Sequence, residues 1–319
     1  MFVLAGASLF GALGLDWAFG DPPNKFHPVA WIGALVGRLV PRLKAKHRER
    51  LRGALFAVLV VGLVSTGTYF VLEGVYIYAG GIAFVVSSAL VLKVAIAVRG
   101  MERHAGAIME ALKNGDLAGA RNNLSMIVRR DTRNLDEGHI LSATIECIGE
   151  STVDGICGPI FYFTLFGGAG ALAYRTINTL DSMVGYKDEY YSRIGWLSAW
   201  LDTAANYVPA RITALLMVVS ARILGADWKN SLYVMARDHR NTASPNAGFP
   251  MASMAGALRI RLEKIDHYSL GDGQEPATLE KCNAAIAIMK LTTVLFCFAF
   301  SLPLMFVLYY AGWWGVLFS

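Results

Sequence analysis

Apolar residues along this chain gather into runs about as long as a membrane is thick. The runs at 1–19, 53–73, 76–98 and 291–313 are each apolar over the required length and free of charge through their middle. A hydrocarbon core of ~30 Å takes ~20 helical residues to cross, so the pattern predicts four transmembrane helices. Between the third and the last run the chain turns polar, with helical signals on either side of a break at Gly115-Asp116. Two apolar stretches lie inside this polar region, 155–174 and 207–224, and they carry Gly-rich breaks, Pro159, Pro209, Arg211 and Arg222. Broken helices are tolerated at membrane depth only where protein or a water-filled cavity surrounds them, which favours a buried or re-entrant helix pair over two further spans. The expected fold is therefore all-α and polytopic. Residues 1–98 form N-terminal membrane helices with a basic linker at 20–52, 99–290 a mainly cytoplasmic helical region, and 291–319 a C-terminal membrane helix.

Composition agrees with the pattern. Of 319 residues 55% are hydrophobic and only 17% charged, and the mean hydropathy is +0.44, far from the balance of a soluble domain. The net charge of +5 does not indicate nucleic acid as a partner, because the Lys and Arg residues sit beside the apolar runs, where orientation rules account for them. The linker holds Lys25, Arg38, Arg42, Lys44, Lys46, Arg48, Arg50 and Arg52 against Asp21 and Glu49. The positive-inside rule puts it in the cytoplasm and the N-terminus outside. The turn from Glu73 to Gly80 has no Lys or Arg, as an external turn should. Met1 to Phe19 lacks a basic leading region and reads as a retained helix, not a cleaved signal. Cys147, Cys157, Cys282 and Cys297 show no metal-site or redox spacing and read as small apolar residues.

Four groups of polar residues are candidates for chemistry. The first is Asp16, Gly20-Asp21-Pro22-Pro23 and His27-Pro28, where the first helix leaves the membrane. Two carboxylates and an imidazole at an interface suit a metal, a phosphate or a proton, and an ordinary helix end is the competing reading. The second is Glu146, Glu150 and Asp154, which a continuing helix would place on one face. Like charges at that spacing call for a cation, either a divalent metal or an arginine such as Arg129 or Arg130; a solvated acidic face competes. The third is Arg175, Asn178 and Asp181-Ser182, suited to an oxyanion or to an internal Arg175–Asp181 salt bridge. A similar reading covers Asp202, Asn206 and Arg211. The fourth is the Ser244-Pro245-Asn246-Ala247-Gly248 turn, a candidate anion loop. No Walker-type, dinucleotide-binding or His-Glu-x-x-His motif is present.

Taken together, these residues, with Ile32-Gly33, Arg129-Arg130-Asp131-Thr132, Pro159, Pro209 and the turn at 244–248, resemble the CobD/CbiB family of cobalamin biosynthesis over nearly the whole chain. The resemblance implies an adenosylcobinamide-phosphate synthase. Such an enzyme joins aminopropanol or its phosphate, through an amide, to the free propionate of adenosylcobyric acid, with ATP and Mg2+ or another divalent cation. It also implies roles. Glu146, Glu150, Asp154 and Asp181 would hold metal. Arg129, Arg130, Arg175, Asn178, Arg211, Ser244 and Asn246 would bind substrate or phosphate, and Asp21 or His27 would serve as the base. The expected setting is the inner membrane with the site facing the cytoplasm. The expected partners are the lipid bilayer, the corrinoid, the amino alcohol and other late enzymes of the pathway. A transporter, for which broken helices and intramembrane charges are also typical, and an AmpE-like membrane sensor or scaffold are the alternatives. No inverted repeat supports the transporter.

Overall fold

The computed structural model describes every residue except 24, 26, 45, 46, 187 and 315–319. Lys46, counted in the basic linker, and the last residues of the C-terminal segment lie outside the described residues. The helices are α1 (Phe2–Phe19), α2 (Pro28–Lys44), α3 (Glu49–Ala95), α4 (Val98–Lys113), α5 (Leu117–Ser125), α6 (Glu137–Thr152), α7 (Gly158–Val184), α8 (Trp196–Ile223), α9 (Trp228–Asp238), α10 (Gly248–Leu258), α11 (Leu279–Leu295) and α12 (Leu302–Tyr310). Turns of π-helix at Val153–Cys157 and Phe296–Ser301 join α6 to α7 and α11 to α12. Two three-residue strands, β1 (Leu262–Lys264) and β2 (Tyr268–Leu270), pair antiparallel and are the one departure from the helical expectation among the described residues. Five helical stretches are long and apolar enough to cross a membrane: Phe2–Phe19, Glu49–Lys113, Glu137–Val184, Trp196–Ile223 and Leu279–Tyr310. The protein is an all-α, multi-pass membrane protein.

Two glycines turn long apolar runs into hairpins. Gly80 (φ 79°, ψ −178°) interrupts α3 and Gly167 (φ 63°, ψ −156°) interrupts α7. This backbone region is open essentially only to glycine. Leu72 and Val91, on either side of Gly80, both pack on Gly168. A straight helix would hold them ~28 Å apart, so the two limbs of α3 run antiparallel. These limbs are the two spans expected at 53–73 and 76–98. Similarly, the Tyr174 ring lies against Gly158 and stacks on Tyr162 with centroids 5.2 Å apart, although Gly158 and Tyr174 are ~24 Å apart on a straight helix. The stretch 155–174, read above as one member of a helix pair, therefore supplies both members itself. The stretch 207–224 instead belongs to α8, one 28-residue helix that at ~1.5 Å per residue can cross the membrane. Its polar residues Asp202 and Asn206 are bonded to α7, which is how a helix with charges at its start stays continuous.

The chain forms two compact units, each discontinuous. The first comprises Met1–Ala97, Gly158–Asn206 and Cys297–Ser319, and the second Val98–Cys157 and Tyr207–Phe296. In the first unit α1 packs along the second limb of α3. Leu4 meets Gly81, the Ser8 hydroxyl donates to the Val85 carbonyl at 3.3 Å, and Gly11 meets Ala89. The offset of 77 to 78 residues between partners stays constant, so the two helices run parallel, with the N-terminus and the turn at Gly80 on the same side. The outer faces of α3 carry Leu63 and Ile82, 72% and 85% exposed. Such surface is costly in water and matched in lipid. The segment 158–206, which the polarity pattern grouped with the middle of the chain, packs with these N-terminal helices because small residues such as Gly168 admit close approach.

The second unit contains short capped helices around a core of their own. Asp116 and Asp136 cap α5 and α6 by accepting the backbone N–H of Gly119 and His139, each at 2.8 Å. Ile108, Ala120, Leu124, Leu135, Ile140 and Ala143 form a core among α4, α5 and α6. The β-hairpin is tied to α6 through Ser142, whose hydroxyl accepts from Glu263 N at 3.2 Å and donates to the Arg261 carbonyl at 3.3 Å.

Candidate active site

In the first unit the polar residues that follow α1 meet polar residues of α3 and α7. Pro22 and Pro23 hold the chain extended after Asp21, and His27 precedes the first turn of α2. The His27 Nδ1 accepts the Val29 backbone N–H at 3.2 Å, which in the neutral ring leaves the proton on Nε2, the nitrogen 4.0 Å from Asp21 Oδ1. That carboxylate oxygen is buried and makes no hydrogen bond. Burial pushes the His27 pKa below its ordinary value; Asp21 opposes this, and Arg175 and Lys93 add to it. Both cations therefore lie close enough to act on the imidazole.

Arg175 begins a chain of hydrogen bonds that joins α7 to α8. Its Nη1 donates to Asn178 Oδ1 at 3.3 Å, and Asn178 Nδ2 donates to Asp202 Oδ1 at 3.3 Å. Asn206 Nδ2 donates to Asp202 Oδ2 at 3.1 Å, and the Tyr174 hydroxyl donates to Asn206 Oδ1 at 2.6 Å. Asp202, Asn206 and Tyr174 are thus structural partners that fix the helix carrying Arg175. Asp181 lies two turns further along α7, where Gly185 leaves room for its carboxylate.

The second unit holds the other predicted residues, in two places. Glu146, 7% exposed, receives Arg130 Nη2 at 2.7 Å and the Tyr268 hydroxyl at 2.8 Å on the same oxygen, Oε1. Arg130 Nη1 also donates to the Glu263 carbonyl at 3.1 Å. Burial, then the carboxylate of Glu146, raise the Tyr268 pKa, so the phenol stays a donor. Glu150 is near enough to act on the same phenol. Asp154 sits in the π-helical turn, which is wider than an α turn and interrupts the four-residue register with Glu150. Arg130 also lines a cleft of about 500 Å³ with Arg121, Asp131, Thr132 and Arg133. Arg121 donates Nε to the Leu135 carbonyl at 2.8 Å, and Arg133 chelates Asp131 at 2.6 Å. Arg129 has partners of its own.

Further along, Arg211 donates to Asn246 Oδ1 at 3.2 Å, and its guanidinium lies over the rings of Tyr207 and Phe249 at 3.6 and 4.5 Å. The Ser244 hydroxyl accepts from Asn246 N and Ala247 N at 3.4 and 3.3 Å. The turn at 244–248 thus spends its hydroxyl and its buried amide side chain on internal bonds. Among the described residues no three His, Cys, Asp or Glu side chains stand together as a ready metal site. The residues missed in the sequence are Lys93, Arg121 and Tyr268. Lys93 carried a signal, as the single charge in the run 76–98; the other two are recognised only by what they face.

Helical hairpins long and apolar enough for a membrane, and a unit of helices rich in arginine and carboxylate, define a class of membrane protein with polar machinery, and comparison supplies the family. Residues 9–297 match the family described as CobD/Cbib protein, and the chain belongs to that family. It is 39% identical over 285 residues, 89% of this chain and 93% of the relative, to a probable cobalamin biosynthesis protein CobD of Methanothermobacter thermautotrophicus. It is 42% identical over 253 residues, 79% of this chain and 78% of the relative, to a cobalamin biosynthesis protein CobD of Pelobacter propionicus. It is 36% identical over 282 residues, 88% and 91% of the two chains, to the protein of that name in Dehalococcoides mccartyi. No solved structure matches the chain.

Proposed function

We propose that this protein acts in cobalamin biosynthesis as an amide-forming synthase, joining aminopropanol or its phosphate to the free propionate of adenosylcobyric acid. The site would open on the cytoplasmic side of the cell membrane, where the basic linker lies. Family membership gives the pathway, and the observation that carries the chemistry is Asp21. Its buried Oδ1 has no hydrogen bond and lies 4.0 Å from Nε2 of His27, an imidazole that burial, Arg175 and Lys93 keep neutral. Because the His27 Nδ1 is occupied by Val29 N–H, the imidazole has no lone pair to offer an incoming proton. Of the two candidates, Asp21 is therefore the base and His27 the group that positions it.

A carboxylate resists attack by an amine, so it is first activated. In this reading the γ-phosphoryl group of ATP passes to the propionate oxygen, giving an acyl phosphate and ADP. The amine nitrogen then attacks the carbonyl carbon, its proton passes to Asp21, and the bond to the phosphate oxygen breaks, releasing phosphate. Arg175, in the same unit as Asp21, suits the phosphates. A magnesium ion would enter with those phosphates, held by one or two carboxylates. Of the carboxylates expected to hold it, Asp181 is the one in the unit that holds Asp21, and Glu146 has Oε1 taken by Arg130 and Tyr268.

The test is product formation by the purified protein in detergent with adenosylcobyric acid, either amine, ATP and magnesium, read by mass spectrometry. Amide from the parent, with turnover cut about 10²- to 10⁴-fold in Asp21→Asn, is the expected result. Amide at the parent rate from Asp21→Asn would move the base elsewhere. No amide from any protein, with solute flux into sealed vesicles, would favour a transporter.

A further inference from the structure

Lys93 ends the second limb of α3 and is 7% exposed, yet no hydrogen bond or ion pair within 4 Å joins it to a described residue. A buried ammonium is costly unless something negative meets it. The constant offset between α1 and this limb brings Asp16, which is fully buried, to the level of Lys93, but the two make no ion pair within that limit. On the other side, Gly168 of α7 packs on Val91, and Leu180 and Val184 share a core with Ala57. The limb of α7 that bears Arg175 therefore lies along the same hairpin. Its guanidinium is oriented by Asn178, and the fields of Arg175 and Lys93 both reach His27. The surroundings of Lys93 thus hold Asp16, Asp21, His27 and Arg175.

We propose that Lys93 is a substrate-binding residue: together with Arg175 it holds the oxyanion of the acid substrate, carboxylate first and acyl phosphate afterwards, beside Asp21 and His27. This rests on the amide-forming reading above. The two cations neutralise the carboxylate that would otherwise repel the amine, and they stabilise the negative oxygen that forms when the amine adds. Lys93 lies largely enclosed in a membrane helix with no hydrogen bond or ion pair to a described residue, and in this reading its partner arrives with the substrate.

The test uses the full-length protein in detergent and the colour of the corrin ring. Equilibrium dialysis compares adenosylcobyric acid with the same corrinoid whose propionate is already an amide. The parent should prefer the acid. Lys93→Met, which keeps the length and apolar character of the side chain, should bind the acid on the order of 10- to 100-fold more weakly and the amide unchanged. Lys93→Arg should recover part of the preference. Equal loss for both corrinoids, or none for the acid, would overturn the proposal and leave Lys93 as a companion to Asp16. If the parent binds neither corrinoid, the functional reading falls, and the site is judged with inorganic phosphate. Thermal stabilisation of the parent by phosphate that vanishes in Lys93→Met keeps the anion site, and equal stabilisation of both ends it.

Discussion

Val29 donates its backbone N–H to the Nδ1 of His27 at 3.2 Å, and this one bond fixes which face of the imidazole is turned toward Asp21. It also requires a neutral ring, because a protonated Nδ1 cannot accept. The folded-state pKa of His27 is depressed by burial and by Arg175 and Lys93, so the unfolded chain takes up the proton first. The stability His27 contributes is therefore complete above its ordinary pKa of about 6.5 and is lost as the pH falls through the lower folded value. Thermal unfolding in detergent should be flat above pH 7 and decline below about pH 6.5, and His27→Gln should flatten the decline. An unchanged profile in that variant would place the acid sensitivity elsewhere.

The Arg130–Glu146 pair has both side chains almost buried, 14% and 9% exposed. Glu146→Ala leaves a guanidinium and the Tyr268 phenol without their shared acceptor, and should cost about 3–5 kcal/mol. Glu146→Gln keeps an acceptor oxygen and should cost less. Chemical denaturation of the purified variants followed by circular dichroism checks the order, which a metal-binding role for Glu146 would not produce in metal-free buffer.

Tyr174 and Asn206 close the network that holds α7 to α8, at 2.6 Å. Tyr174→Phe removes the donor, leaves a buried amide oxygen unsatisfied and should cost about 1–3 kcal/mol. Arg175, four bonds along the network, should then be less well placed. Substrate affinity should fall more than turnover, as separate measurements of KM and kcat would show.

The hairpin at Gly167 depends on glycines at two kinds of place. Gly158→Ala drives a methyl into the Tyr174 ring, and overpacking of this kind costs about 1–3 kcal/mol. Gly167→Val imposes a backbone conformation that a β-branched residue scarcely adopts, at about the same cost. Gly14→Ala, with nothing within 4 Å of the new methyl, is the control and should leave the thermal midpoint unchanged.

The sequence by itself determined the solvent. Runs of twenty apolar residues place the spans, and the alternation of basic and uncharged turns gives their expected orientation, because membrane burial and charge placement act on residue type alone, before any contact forms. The polar motifs were legible for the same reason, since carboxylates, arginines and an imidazole beside apolar runs stand out one by one. What only the tertiary structure decided was the partnership. The period-four carboxylates suggested a single face, yet Glu146 is claimed by Arg130 and by Tyr268, a residue 122 positions away, and a π turn interrupts the register before Asp154. The stretch 155–174 read as one helix and is a hairpin, because a single glycine at positive φ reverses the chain. Lys93 passed unremarked near the end of a span, and the packing of α1 and α7 is what encloses it. Hydrophobic periodicity sees one residue and its neighbours along the chain; which buried charge is left unanswered depends on helices brought together from distant parts of it.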